Sequence, residues 1–247
     1  MIVLYQNKPA IWQNKPVTKF IDASGSITAY DGDYATHTFL SSGKFTVITP
    51  GIVELILVGG GGGGKKTSSC ISDTARGGGG GGGEVIVVNT KLNIGTYDVS
   101  IGAGGEWGYN GGPSYFGSLY CASGGFSSNT NDHIGGNSGN GFAGVTGNPA
   151  IIGGWAGGGG GAGGAGSGTN GGIGVHGFGG GGGGALGGIG VDGGGSAAAY
   201  PTFSTDASEN TGGGGGGGIC QPSGSPFASV DAGKGGSGIA IIRYKYK

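Results

Sequence analysis

Gly59, Gly64 and Lys65 stand at the spacing of a phosphate-binding loop, in which backbone amides cradle phosphate oxygens and the lysine reaches the terminal groups. That pattern next requires a hydroxyl to hold a magnesium ion. Lys66 occupies the position and Thr67 comes one residue late. No helix-forming sequence follows, so a nucleotide site is not expected. Matches to the dinucleotide pattern G-x-G-x-x-G are uninformative, because any run of glycine satisfies them. His37, His133 and His176 lie far apart and lack metal-ligand spacing. Cys70, Cys121 and Cys220 show no C-x-x-C spacing and read as free thiols in loops. Asp73, Glu106, Asp132, Asp192, Asp206 and Glu209 are scattered, and nothing marks two of them as a glycosidase pair. The expectation is a protein that is not an enzyme and that holds no metal and no cofactor.

Binding chemistry is better represented. The segments 65–76, 106–120, 126–142, 196–211 and 219–232 are rich in Ser, Thr, Asn and aromatic residues. Tyr, Ser, Gly and Asn dominate adaptable binding loops, and a rigid scaffold that presents loops is a common binding design. Lys65, Lys66, Ser68, Ser69, Ile71, Trp107, Tyr109, Phe126, Pro226 and Phe227 are the candidate contacts. The aromatics among them have a second reading, as apolar cover for the ends of the scaffold. Trp155, set between glycines, is read mainly that way.

The scaffold that would position these loops consists of uninterrupted glycine: Gly59–Gly64, Gly77–Gly83, Gly157–Gly161, Gly179–Gly184 and Gly212–Gly218. Glycine loses more backbone entropy on folding than any other residue, so such runs need an unusual source of stability. Polyproline-II-like helices supply one. They have three residues per turn and no internal hydrogen bonds, so every N–H and C=O points sideways. Without side chains, several can lie together and bond to one another. Gly61, Gly80, Gly159, Gly181 and Gly215 are expected in the interior of that bundle.

Composition supports an ordered chain. Of 247 residues, 72 are glycine and eight proline, which by itself suggests low-complexity disorder. Yet only 10% are charged while 9% are aromatic, the reverse of a disordered composition. Glycine does not recur strictly every third residue, which excludes collagen. The net charge of −1 and the lack of a basic stripe argue against a nucleic-acid partner. No stretch approaches about 18 apolar residues, so membrane insertion is not expected. The short apolar start, Met1–Tyr5, does not read as a secretory signal, and synthesis in a cytoplasm is expected.

Residues 1–33 read as an N-terminal attachment arm. They contain the tandem repeat Gln6-Asn7-Lys8-Pro9 and Gln13-Asn14-Lys15-Pro16, and a residue before proline favours extended backbone. Residues 34–247 read as one glycine-rich domain. Strands are predicted at Thr36–Leu40, Lys44–Ile48, Val53–Val58, Glu84–Val88, Thr96–Ile101 and Ile239–Tyr244, with a tight turn at Ser41-Ser42-Gly43. Little or no α-helix is expected. If the strands share one body, counting outgoing and returning glycine runs puts 65–76 and 219–232 together at the far end. The same count puts 196–211 near the strands.

The stretch Asp33–Val47, then Val53–Gly64, Gly77–Val88 and Gly235–Tyr244, resembles the glycine-rich domain of bacteriophage tail-fibre and other virion proteins, over about residues 25–245. The resemblance implies a mainly β fold: a jelly-roll-like β-sandwich with an inserted bundle of polyglycine-II helices. It also implies a location on the virion and binding of a host-cell receptor, a sugar or an outer-membrane protein, at a fibre tip. Other virion proteins would then be partners through the arm, and a homotrimer is one expected assembly. The alternative is a non-adhesive virion structural protein, such as a capsid fibre or decoration protein.

Overall fold

Apolar and polar residues alternate along most strands, and that alternation places the core. The computed structural model describes residues 4–5, 8–9, 20–65, 75–128, 134–144, 158–185, 187–198, 203–220 and 231–246. Among these residues there are twelve strands and no α-helix: β1 (Leu4–Tyr5), β2 (Lys8–Pro9), β3 (Phe20–Asp31), β4 (Tyr34–Val47), β5 (Gly51–Val58), β6 (Ala75–Arg76), β7 (Val85–Leu92), β8 (Gly95–Ser100), β9 (Ser114–Phe116), β10 (Tyr120–Ala122), β11 (Ile219–Cys220) and β12 (Ile239–Lys245). β3–β5, β7–β10 and β12 form one antiparallel sheet; β1 pairs with β2, and β6 with β11.

β4 is the strand on which the sheet divides. β12 pairs with its first half, from Tyr34 to Phe39, and β8 with its second, from Gly43 to Val47. One branch continues from β12 to β5 and β7, the other from β8 to β9 and β10. β9 and β10 fold back over β5, so the two branches close on a shared core in a nearly barrel-like shape. Odd-numbered residues of β4 and β5 point inward: Phe39, Phe45, Val47, Val53, Leu55 and Leu57 are buried together with Leu92, Val99, Phe116 and Ile242. The ring of Phe116 stacks on Tyr97 with centroids 5.3 Å apart.

One sequence expectation is corrected here. Ser41-Ser42-Gly43 is not a turn; it lies inside β4. Phe39 and Phe45 stay on the same face across it, as an even spacing allows in a continuous strand. β3 runs beside both halves, pairing Ser24 with Lys44 and Ser26 with Phe39, so the register shift leaves the extra residues on β4. Residues 20–31, read from the sequence with the N-terminal arm, form β3 and pair with β4. Ile27 and Tyr30 within β3 are exposed, at 61% and 67%.

His37 fastens β3 to the sheet interior. It is 6% exposed, with Nδ1 3.1 Å from the Thr28 hydroxyl and 3.3 Å from that of Ser26, and Nε2 3.2 Å from the Tyr244 hydroxyl. Burial lowers its pKa from the ordinary value. Burial, and secondarily Tyr30, pushes the Tyr244 hydroxyl up to about 12.

The glycine runs form the second half of the molecule, and their hydrogen bonds follow a three-residue rotation. The amides of Gly59, Gly62 and Lys65 donate to Glu84, Gly81 and Gly78 at 2.9, 2.8 and 3.1 Å. Those of Gly60 and Gly63 donate to Gly112 and Tyr109, and those of Gly61 and Gly64 to Gly236 and Gly233. Three neighbours served in turn is the signature of three residues per turn, the polyproline-II geometry. The second run repeats it, with Gly77, Gly80 and Gly83 donating to Gly218, Gly215 and Gly212 at 2.8 Å each. Gly61, Gly80, Gly159, Gly181 and Gly215 are all buried. A Cβ on Gly61, Gly80, Gly159, Gly181 or Gly215 would collide with the carbonyl of Gly213, Gly62, Gly80, Gly159 or Gly233, respectively.

Sheet and lattice meet at Ser114. This residue is fully buried; its hydroxyl donates to the Val58 carbonyl at 2.6 Å and accepts from the Gly102 amide at 2.9 Å. On the outer face of β5 and β12, Val58 and Ile239 pack with Val85 and Ala162, covered by Val175 and Phe178.

The run count holds for the described flanks of two loops: Ile219 is the register partner of Arg76 and Cys220 of Ala75. The count fails for 196–211. Ala198 donates to Gly217 at the far end and is buried with Ala185 and Ile219, whereas Thr211 accepts from Gly179 beside the sheet. Residues 203–211 run back along the lattice toward the sheet, with Thr205 accepting from Gly216 and Thr211 from Gly179. They keep side chains because one flank faces solvent; Phe203, Thr205, Asp206 and Ser208 are exposed.

Candidate binding site at the far end of the lattice

Residues 105–112 run outward along the first glycine run and back again. Gly105 and Gly108 donate to Gly61 and Gly64 at 2.8 Å, and on the return Tyr109 and Gly112 accept from Gly63 and Gly60 at 2.9 Å. The reversal is closed by the Tyr109 amide, 2.9 Å from the Glu106 carbonyl. Gly108 has a φ of 80° there, in the left-handed region that side chains rarely adopt. Trp107 and Tyr109 flank it and are 51% and 70% exposed. Lys234 holds the base of the turn through an ion pair with Glu106 at 2.9 Å, and the hydrogen bond to that carboxylate raises the lysine's pKa.

Beside this turn lies a cavity of about 330 Å³, lined in part by Lys65, Asn110, Phe126, Ser128, Ile134 and Asn137. Phe126 is anchored by its carbonyl, which accepts from Gly81 at 2.9 Å, while its side chain is half-exposed. Asn110 and Asn137 accept backbone amides on their side-chain oxygens, from Ser127 at 2.8 Å and Gly144 at 3.1 Å. Ser128 is 3% exposed, and its hydroxyl has no hydrogen-bond partner among the described residues.

The fold thus brings Lys65 and Phe126 to one cavity and sets Trp107 and Tyr109 around Gly108, which also lines it. Lys66, Ser68, Ser69, Ile71, Pro226 and Phe227 lie outside the described residues. Asn110, Ser128 and Asn137 were not singled out from the sequence. Their signal was present, since each is a polar residue close to glycine pairs that the lattice needs, at 111–112, 124–125 and 135–136. Cys121 is a free thiol as expected, but it sits exposed in β10 opposite Tyr115 rather than in a loop. Among the described residues no three His, Cys, Asp or Glu side chains gather to hold a metal ion.

No curated protein matches the chain. The sequence profile of the family described as "Glycine-rich domain" matches residues 40–245. That span contains every long glycine run, the strands that lead into and out of them, and the cavity residues, and the chain belongs to the glycine-rich domain family.

Proposed function

We propose that the protein is a virion adhesin at the tip of a bacteriophage tail fibre, which binds a host-cell surface receptor through loops at the far end of its lattice. The observation that carries this reading is the exposure of Phe126 at the cavity and of Trp107 and Tyr109 in the turn beside it, on a scaffold whose glycine amides are bonded in three-residue rotation. Large aromatics supply contact area at low entropic cost, and a rigid scaffold lowers the ordering penalty of binding. The likeness of the strand and glycine order to virion proteins supports the same reading. In it the protein is made in the host cytoplasm, the N-terminal arm of residues 1–33 joins it to other virion proteins, a homotrimer is one expected assembly, and no enzymatic step is involved.

A non-adhesive virion structural role is the second reading. It is favoured by β3, which among the described residues pairs only with β4 and exposes Ile27 and Tyr30. That surface could pack against another virion subunit. The experiment is to label the purified protein, incubate it with host cells and measure both binding and competition with phage adsorption. Saturable binding that blocks adsorption supports the adhesin. Neither binding nor competition at saturating protein leaves the structural role.

A further inference from the structure

We infer that the outer face of the sheet joins two copies of this chain about a twofold axis lying along β12. The strands β7, β5, β12, β4 and β3 lie side by side, and residues directly opposite each other in register share a face. On the face away from the core, Val87 stands opposite Ile56, Ile56 opposite Ile241, Ile241 opposite Thr38 and Thr38 opposite Ile27. Val87 and Ile27, at the ends of that row, are exposed, as are Ile52 on β5 and Leu40 on β4. Ile56 and Ile241 between them are half-buried. Soluble monomers seldom leave so continuous an apolar band to solvent.

The charges on this face select what covers it. The inner ones are already paired within the chain, Arg243 with Glu54 at 3.5 Å and Lys245 with Asp33 at 3.1 Å. Lys91 and Asp31 are exposed and have no ion-pair partner among the described residues. Lys91 stands opposite Ile52, and Asp31 opposite Tyr34, whose other partner is Lys245. The two charges therefore lie at one height, two strands to either side of β12, or about 10 Å each way. A cation and an anion at equal distances from a midline make the face complementary to itself. Turned about β12, Lys91 of one protomer meets Asp31 of its partner, and this happens twice. Val87 meets Ile27 in the same way. Arg243 meets its own copy, with each guanidinium held by Glu54 and lying 4.0 Å over the Tyr34 ring. An axis running across the strands would instead lay β7 on β7, where no acid faces outward.

The relief of the face fits the same axis. Val175 and Phe178 cover it at Val58, Val85 and Ile239, on β5, β7 and β12, and leave Leu40 on β4 exposed. The rotation carries the partner's turn to the β4 side, over Leu40. The face spans about 20 Å in each direction, which is small for a stable interface, so association is expected in the micromolar range. The pairing does not rest on receptor binding.

The test is sedimentation equilibrium of the full chain from about 1 μM to about 1 mM, which should show monomer and dimer in exchange. Lys91→Asp and Asp31→Lys should each weaken the dimer about tenfold, because each sets like charges together twice. Mixing these two single variants should restore a dimer containing one of each, and the chain carrying both changes should pair like the parent. Val87→Lys, at an exposed site, should weaken pairing with Tm unchanged. A dimer indifferent to both charge reversals overturns this face, and one that recovers neither in the mixture nor in the double variant overturns the axis. A trimer, the assembly that the resemblance implies, overturns the twofold pair, as does a monomer throughout the range. In such a monomer, protection of Ile27 and Val87 from solvent labelling would give the face to residues 1–19 of the same chain, and full labelling would leave it for a different protein.

Discussion

The amide of Gly80 donates to the carbonyl of Gly215 at 2.8 Å, joining the middles of two glycine runs from opposite ends of the sequence. No side chain fits at Gly80, because a Cβ there would meet the carbonyl of Gly62 in a third run. Gly80→Val should therefore displace backbone as well as overpack. Overpacking alone costs about 1–3 kcal/mol, which for a chain of this size lowers Tm by roughly 2–12 °C. Tyr109→Ala, at an exposed site, is the control and should leave Tm unchanged. Equal melting temperatures for the two variants would argue that the runs are flexible linkers.

Ser114 ties the sheet to the lattice with a hydroxyl that satisfies the Val58 carbonyl and the Gly102 amide at once. Ser114→Ala should leave the buried Gly102 amide without its hydroxyl acceptor, at about 1–3 kcal/mol. Denaturant melts would show a lower midpoint with an unchanged slope. A midpoint within error of the parent would mean that water replaces the hydroxyl there.

His37 makes stability depend on pH. Its folded pKa is lowered by burial, so the unfolded chain binds the proton more readily. The stabilising contribution is present above the unfolded pKa of about 6.5 and is lost as pH falls through the lowered folded value. Tm should accordingly drop between neutral and mildly acidic pH. His37→Gln should remove that step while lowering Tm at neutral pH, since Gln cannot bridge Thr28 and Tyr244 with the same geometry. An identical pH profile in the variant would assign the acid sensitivity to another group.

Trp107→Ala and Tyr109→Ala test the proposed contact surface. Truncating central Trp or Tyr anchors typically costs about 2 kcal/mol or more of binding, or more than tenfold in affinity for host cells. Both side chains are largely exposed, so folding should be unaffected. Full cell binding by the double variant would move the contact surface away from this turn.

Several features of this protein were fixed by its sequence. Runs that are pure glycine can be ordered only where backbones approach too closely for a Cβ, which made the lattice legible at Gly61, Gly80, Gly159, Gly181 and Gly215. Apolar strands entering and leaving those runs, Val53–Val58 and Ile239–Tyr244 among them, made the β half legible too, and the run count brought Arg76 and Ile219 together. The tertiary structure decided what local pattern could not. β4 stays one strand through Ser41-Ser42-Gly43 because β3 runs beside it while β12 and β8 divide its length. Residues 20–31 join the sheet by backbone pairing with β4, which leaves no apolar alternation in the sequence to read, and Ile27 and Tyr30 there are exposed. The cavity depends on the pairing of Gly108 with Gly64 and on the bonds that orient Asn110 and Asn137. These contacts join segments distant in sequence, and glycine, which carries no side chain to specify a neighbour, leaves their choice to the packing of the whole lattice.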